Sequence, residues 1–156
     1  VGYQWWVFLH IAGAFVFLVA HGVSMGVSLQ LRQERDPRRI MALLDVSSTS
    51  ISGLYVGLVL LLTGGVVAGF VGDWWGQGWI WVALGTLVVV MILMYALASN
   101  YYKRLRLIVG AMAEGSEAVS EERLAELLSG PRPVILAVTG FGGLLFILYL
   151  MLFKPF

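Results

Sequence analysis

The chain of 156 residues has two histidines, His10 and His21, and both fall in the stretch WVFLHIAGAFVFLVAHGVSMGVSLQL. At about 3.6 residues per turn, their spacing of eleven puts the two imidazoles within roughly 20° on one helix, about 16 Å apart along its axis. An imidazole in hydrocarbon needs partners for its ring nitrogens, and an ionisable group inside a membrane is a functional candidate by default. Two imidazoles at two depths on one face suit two porphyrin-type cofactors stacked across a membrane. They equally suit one cofactor plus one structural histidine. Gly22 beside His21, and Gly13 and Ala14 near His10, leave room for a flat macrocycle. The competing reading is that each ring hydrogen-bonds a carbonyl, a serine or a tyrosine across a helix bundle.

Haem takes axial ligands such as His or Met. Within one chain the second ligand would be Met94, at a depth like that of His21, or Met151, near the depth of His10. The plainer role of either methionine is to fill a gap in the core. A two-fold dimer with its first helices in contact would instead pair His10 with its symmetry mate, and His21 likewise. Five-coordinate binding would suit haem b or a chlorin such as bacteriochlorophyll.

The elements that position these groups are helices in a membrane. The sequence is 60% hydrophobic and 12% charged, and the apolar residues come in long runs. With no cysteine, disulfides, thiolate metal sites and cysteine nucleophiles are excluded. The net charge of +1 gives no expectation of nucleic acid as a partner. No cleavable leader is expected, since the first apolar run is too long and lacks a basic region before it.

The pattern predicts an all-α integral membrane protein, a single four-helix domain over 1–156 with spans at about 3–31, 51–71, 79–102 and 134–153. Asp36 reads as an N-cap with Pro37 at the first helical position. A helix from there to Val71 would be about 50 Å long, so its first part must protrude or lie at the interface. KRLR stops the third span. In the polar segment after it, Ser120 could cap a short helix with Glu121 and Glu122 in its first turn. Leu124, Leu127 and Leu128 give that helix one apolar stripe, and Gly130 and Pro131 end it.

RQERDPRR carries four arginines and KRLR three further basic residues, all on one side. By the positive-inside rule segments 32–50 and 103–133 are cytoplasmic, giving an antiparallel bundle with both termini outside, N-out and C-out. Trp5, Trp6, Trp74, Trp75, Trp79 and Trp81 form an aromatic belt at the opposite boundary.

Two heptad series run along the first helix, Tyr3, His10, Phe17, Ser24 and Val7, Ala14, His21, Ser28. Such series form a packing seam, so the polar stripe should face protein. Gly22/Gly26, Gly53/Gly57 and Gly65/Gly69 have the small-xxx-small spacing that favours close helix contact in lipid. Asp45 with SSTSIS reads either as an ion or headgroup site or, more plainly, as a solvated helix extension whose hydroxyls bond back to the backbone. No span holds Lys, Arg, Asp or Glu well inside the membrane, which argues against a proton pump, an ion-coupled transporter or a voltage sensor.

Trp6, Leu9, His10, Gly13 and Ala14, in WVFLHIAGAFVF at the start of a four-helix chain, resemble the copper-resistance D-like membrane proteins. That group includes the membrane-bound, haem-containing protoporphyrinogen oxidase and several uncharacterised bacterial predicted integral membrane families. LQLRQERDPRRIMALLDVS looks like a stretch seen in the latter. The resemblance implies haem at His10 and a multi-pass protein of the bacterial inner (cytoplasmic) membrane. The chain departs from the oxidase, having no intramembrane Arg in the second half of the first helix and no Lys in a later span. That argues against protoporphyrinogen oxidase activity.

Three expectations follow. The first is a b-type-cytochrome-like protein, binding haem through its first helix and serving electron transfer or a redox complex. The second is a cofactor-free accessory subunit of a larger membrane complex. The third is a pigment-binding subunit of a photosynthetic assembly. Membrane lipid is the expected surrounding, with a homodimer or a larger complex as the assembly.

Overall fold

The computed structural model describes residues 2–113 and 117–156, with side chains for 2–112 and 122–156. Among the described residues the regular elements are all helices: α1 Tyr3–Leu31, α2 Pro37–Val71, α3 Gly78–Ala113, α4 Glu117–Ser129 and α5 Arg132–Phe153. Four helices are long and apolar enough to cross a membrane. α2 begins as the sequence predicts: Asp36 is extended and its side chain accepts from the Arg38 N–H at 2.9 Å, while Pro37 supplies the fixed φ of the first turn.

α1 and α2 form a tight pair built on the first heptad series. Going up α1 and down α2, His10 lies against Gly64, Phe17 against Gly57, and Ser24 bonds Ser50 at 3.0 Å. A partner heptad, Gly64, Gly57, Ser50, therefore answers the series His10, Phe17, Ser24. Here a Cβ has no room. At Gly57 it would stand 2.5 Å from the Phe17 N, and at Gly13 2.8 Å from the Leu61 Cα. In lipid there is no hydrophobic force to join two apolar helices, so this backbone approach supplies the dispersion contact that holds them.

The second series turns elsewhere. His21 and Ser28 are buried, and His21 lies against Gly140 of α5. α5 meets α3 one turn further on, where Gly143 touches Val90. The predicted glycine pairs are thus only partly the contact positions. Gly22 and Gly26 have no atom within 4 Å of where a Cβ would be, and Gly53 is in ordinary contact with Ala20.

The arginine-bearing end has a core of another kind. α3 does not stop at KRLR but runs on to Ala113, because Leu105 and Val109 find Leu124 and Leu128 of α4 to bury against. Val27, Leu31, Ile40, Leu44 and Tyr101 complete the cluster. The α4 stripe is as the sequence predicts, although α4 starts at Glu117, ahead of Ser120. The side chains of Ser120 and Glu121 lie outside the described residues. At the opposite end, Trp74 donates to the Tyr3 hydroxyl at 3.2 Å, and the Lys154 ammonium lies 4.1 Å from the centre of the Trp74 ring. The start of α1, the α2–α3 turn and the end of α5 therefore share one aromatic end.

Candidate functional site

His10 is half-buried and turned toward α2. Its Nδ1 is 2.8 Å from the Leu61 carbonyl oxygen. A carbonyl only accepts, so Nδ1 carries the proton and Nε2 the lone pair. Two adjacent glycines make this reach possible. Gly64 lets the α1 backbone come close, and at Gly65 a Cβ would stand 2.6 Å from Nδ1. The seat of the imidazole is thus built by α2. This is the second-partner arrangement that orients a ligating histidine in metal sites, where one ring nitrogen donates to a carbonyl and the other faces the metal. Contrary to the sequence expectation, Gly13 leaves no room for a macrocycle, because the Leu60–Leu61 backbone fills the place.

His21 is seated differently. It is 6% exposed, stacks on Phe17 with ring planes 9° apart and meets the edge of Phe141 at 5.5 Å. Its Nε2 is buried with no hydrogen-bond partner and points at Gly140. A Cβ there would stand 2.7 Å from Cε1, so the space beyond Nε2 is closed by the α5 backbone. A metal-centred ring has no room on that side while α5 holds this position. Open space lies beside Gly22, away from the direction of Nε2.

The structure does not bring the two histidines to one site. A 20° offset on α1 is enough to send one to α2 and the other to α5. Nor does it gather the methionines around them. Met94, half-buried on α3, is one turn past Val90 and so shares a depth with His21, but α5 meets α1 through Gly140 and α3 through Gly143. Met151 is half-buried near the aromatic end of α5. Among the described residues no three His, Asp or Glu side chains cluster as a metal site would need.

Residues 5–155 match the family described as Predicted integral membrane protein (DUF2269). The chain belongs to that family. It is an integral membrane protein with four membrane-crossing helices. No curated protein and no solved structure matches it.

Sequence reasoning missed the residues that seat the imidazoles: Leu61, Gly64, Gly65, Gly140 and Phe141. The signal was present in part. Gly57 and Gly64 are seven apart, as are His10 and Phe17, and two matching heptads on neighbouring helices are candidates for one interface. In the hydroxyl cluster Thr49 donates to the Asp45 carbonyl at 3.0 Å and Ser50 to the Ser47 carbonyl at 2.7 Å, the back-bonding of the plainer reading. Ser47 is buried, however, and the Ser24 hydroxyl of α1 bonds both Ser47 and Ser50, so this part of α2 is packed and not a solvated extension. The carboxylate of Asp45 has a partner that sequence did not indicate, Arg106 at 3.0 Å.

Proposed function

We propose that this protein is a b-type-cytochrome-like haem carrier of the membrane, with His10 as axial ligand through Nε2, serving electron transfer or a redox complex. The observation that carries the reading is the bond from Nδ1 to the Leu61 carbonyl, which fixes the tautomer and leaves Nε2 with its lone pair. The glycine seat holds the ring in that orientation. The seat around Nδ1 supports one haem b at His10. The surroundings of His21, whose Nε2 meets the α5 backbone, do not fit a second, and this reading assigns His21 to the bundle. When bound, the haem would supply one-electron chemistry. The chain's own part is to orient the imidazole and to keep water away with apolar neighbours.

A second ligand in this reading would be His10 of a second copy, or there would be none. Met94 and Met151 remain the intrachain alternatives, and a haem retained by a strictly monomeric preparation would favour them or five-coordination. In this reading the arginines favour segments 32–50 and 103–133 in the cytoplasm, with an antiparallel bundle whose termini both lie outside the bacterial inner membrane. A cofactor-free accessory subunit is the second reading. The Leu61 bond favours it as well, because an interhelical staple needs nothing more from His10.

The visible spectrum of the detergent-purified protein, taken with His10→Gln and His21→Gln, tests the proposal. Glutamine can keep a hydrogen bond but is a poor haem ligand. Reducible Soret and alpha bands are expected in the wild type and in His21→Gln. They should be lost in His10→Gln while its helical circular dichroism stays. Near-infrared bands would put a bacteriochlorophyll in place of haem. A wild type with no visible bands, or a His10→Gln variant with the wild-type spectrum, overturns the ligand reading. The first of these leaves the accessory subunit.

A further inference from the structure

Between α1 and α2, on the face away from α5, runs an open groove of about 760 Å³. Phe15, Val19 and Val23 form one wall, and Val46 and Thr49 belong to the other, which ends at Asp45. Ala20 and Gly53 touch across its floor. Phe15 is five residues from Ala20 toward the aromatic end, and Asp45 is eight from Gly53 toward the arginine end. At about 1.5 Å per residue the groove is about 20 Å long, more than the roughly 15 Å of hydrocarbon in one leaflet.

Its two ends differ in chemistry. The upper part is apolar. The lower end holds the Asp45 carboxylate, whose side chain is 68% exposed while one oxygen takes the Arg106 guanidinium at 3.0 Å. Arg106 also donates to the Leu44 carbonyl at 2.9 Å, so the pair is held in place from two sides. An acidic group beside an arginine, at the mouth of an apolar trough one leaflet deep, matches a molecule with an ammonium and a phosphate above an acyl chain. The carboxylate takes the ammonium and the guanidinium the phosphate.

We propose that this groove is a binding site for one phospholipid with a primary-ammonium headgroup, of the phosphatidylethanolamine kind, in the leaflet on the arginine side. Its acyl chain lies along Val46, Val19 and Phe15, and its ammonium sits on Asp45. The site stands apart from His10 and does not depend on a haem being bound.

The test is native mass spectrometry of the protein released from vesicles of equal phosphatidylethanolamine and phosphatidylglycerol. The wild type should retain one phosphatidylethanolamine per chain, preferred about tenfold, the size of one charge-assisted hydrogen bond. Asp45→Asn should bring the preference close to even. Val46→Phe, at an exposed position that leaves Asp45 and Arg106 intact, should lower retention of both lipids by filling the trough. Equal retention of the two lipids by the wild type overturns the proposal, as does an unchanged preference in Asp45→Asn. If Val46→Phe keeps its lipid but loses a dimer seen in the wild type, the occupant is a second copy and the lipid assignment fails.

Discussion

Gly57→Ala is the most direct probe of the α1–α2 seam. The new Cβ would stand 2.5 Å from the Phe17 N, 2.8 Å from its Cα and 3.0 Å from the Gly13 carbonyl oxygen, all backbone atoms that a rotamer change leaves in place. Relief to 3.4 Å requires the helices to part by about 0.9 Å at this level. Overpacking of this kind costs about 1–3 kcal/mol. If the parting reaches His10 two turns away, its 2.8 Å bond to Leu61 opens past hydrogen-bonding range, at about 1 kcal/mol more. Alanine returns about 0.5–1 kcal/mol as the better helix former. The net expectation is a loss of about 1–3 kcal/mol. Gly22→Ala is the control, since nothing lies within 4 Å of its Cβ, and it should be neutral or slightly stabilising. Reversible unfolding of both variants in mixed micelles by added denaturing detergent, followed by circular dichroism, measures the difference. Equal stability of the two would mean that backbone contact at Gly57 does not hold the pair together.

Three further predictions concern other levels of the structure. Single cysteines at Gln33, Gly76 and Ser116 should label from the cytoplasm, the outside and the cytoplasm respectively, and labelling of the first two from one face would remove the proposed topology. The Asp36 and Arg35 backbone N–H groups hold the Glu34 carboxyl below the ordinary carboxylate range, with Arg39 adding to the effect. A depressed pKa contributes stability above the unfolded value of about 4.3 and loses it as pH falls through the folded one. Hydrogen exchange at the Arg35 and Asp36 amides should therefore show protection, corrected for intrinsic rate, that falls on acidification below about pH 4.3, and pH-independent protection would refute it. His21→Leu removes a buried nitrogen that has no partner, a group whose burial costs about 1–3 kcal/mol, so this variant should be at least as stable as wild type. A marked loss in the same unfolding assay would show that Nε2 is satisfied after all.

Much of this architecture was legible because membrane and helix impose simple periods. The length of the apolar runs marks the spans, and the Asp36-Pro37 pair marks the start of α2. The heptads on α1 select its inward face. What they do not select is the neighbour. His10 and His21 lie close together on the helical wheel, and that narrow stripe straddles the line where α1 passes from the α2 contact to the α5 contact. Only Gly64 and Gly65 on one side and Gly140 on the other decide which ring goes where, and each lies on another helix. The small-xxx-small rule failed at Gly22 and Gly26 for a related reason: it finds where a backbone could approach, not where one does. KRLR marks the change from apolar to charged residues but says little about where the helix ends. Leu105 within it and Val109 beyond it keep α3 helical because the α4 stripe covers them, and in water such burial brings a hydrophobic gain that lipid does not offer.

The pairing of Asp45 with Arg106 was out of reach for the same physical reason as the histidine seats. Sixty-one residues separate the two, and no local pattern connects them. Read alone, Asp45 is a charge on a solvated helix extension, and Arg106 is one of three basic residues that end a span. Brought together at 3.0 Å, they become a dipole at the mouth of an apolar groove. An exposed ion pair of this kind contributes only about 0–1 kcal/mol to the fold, so stability is a weak reason for its place there. Its position says more than its energy. Both partners could be solvated separately, yet Arg106 is also tied to the Leu44 carbonyl, which keeps the guanidinium beside the carboxylate. A fixed pair of opposite charges beside an apolar trough is of more use to a zwitterionic headgroup than to the helix that bears it.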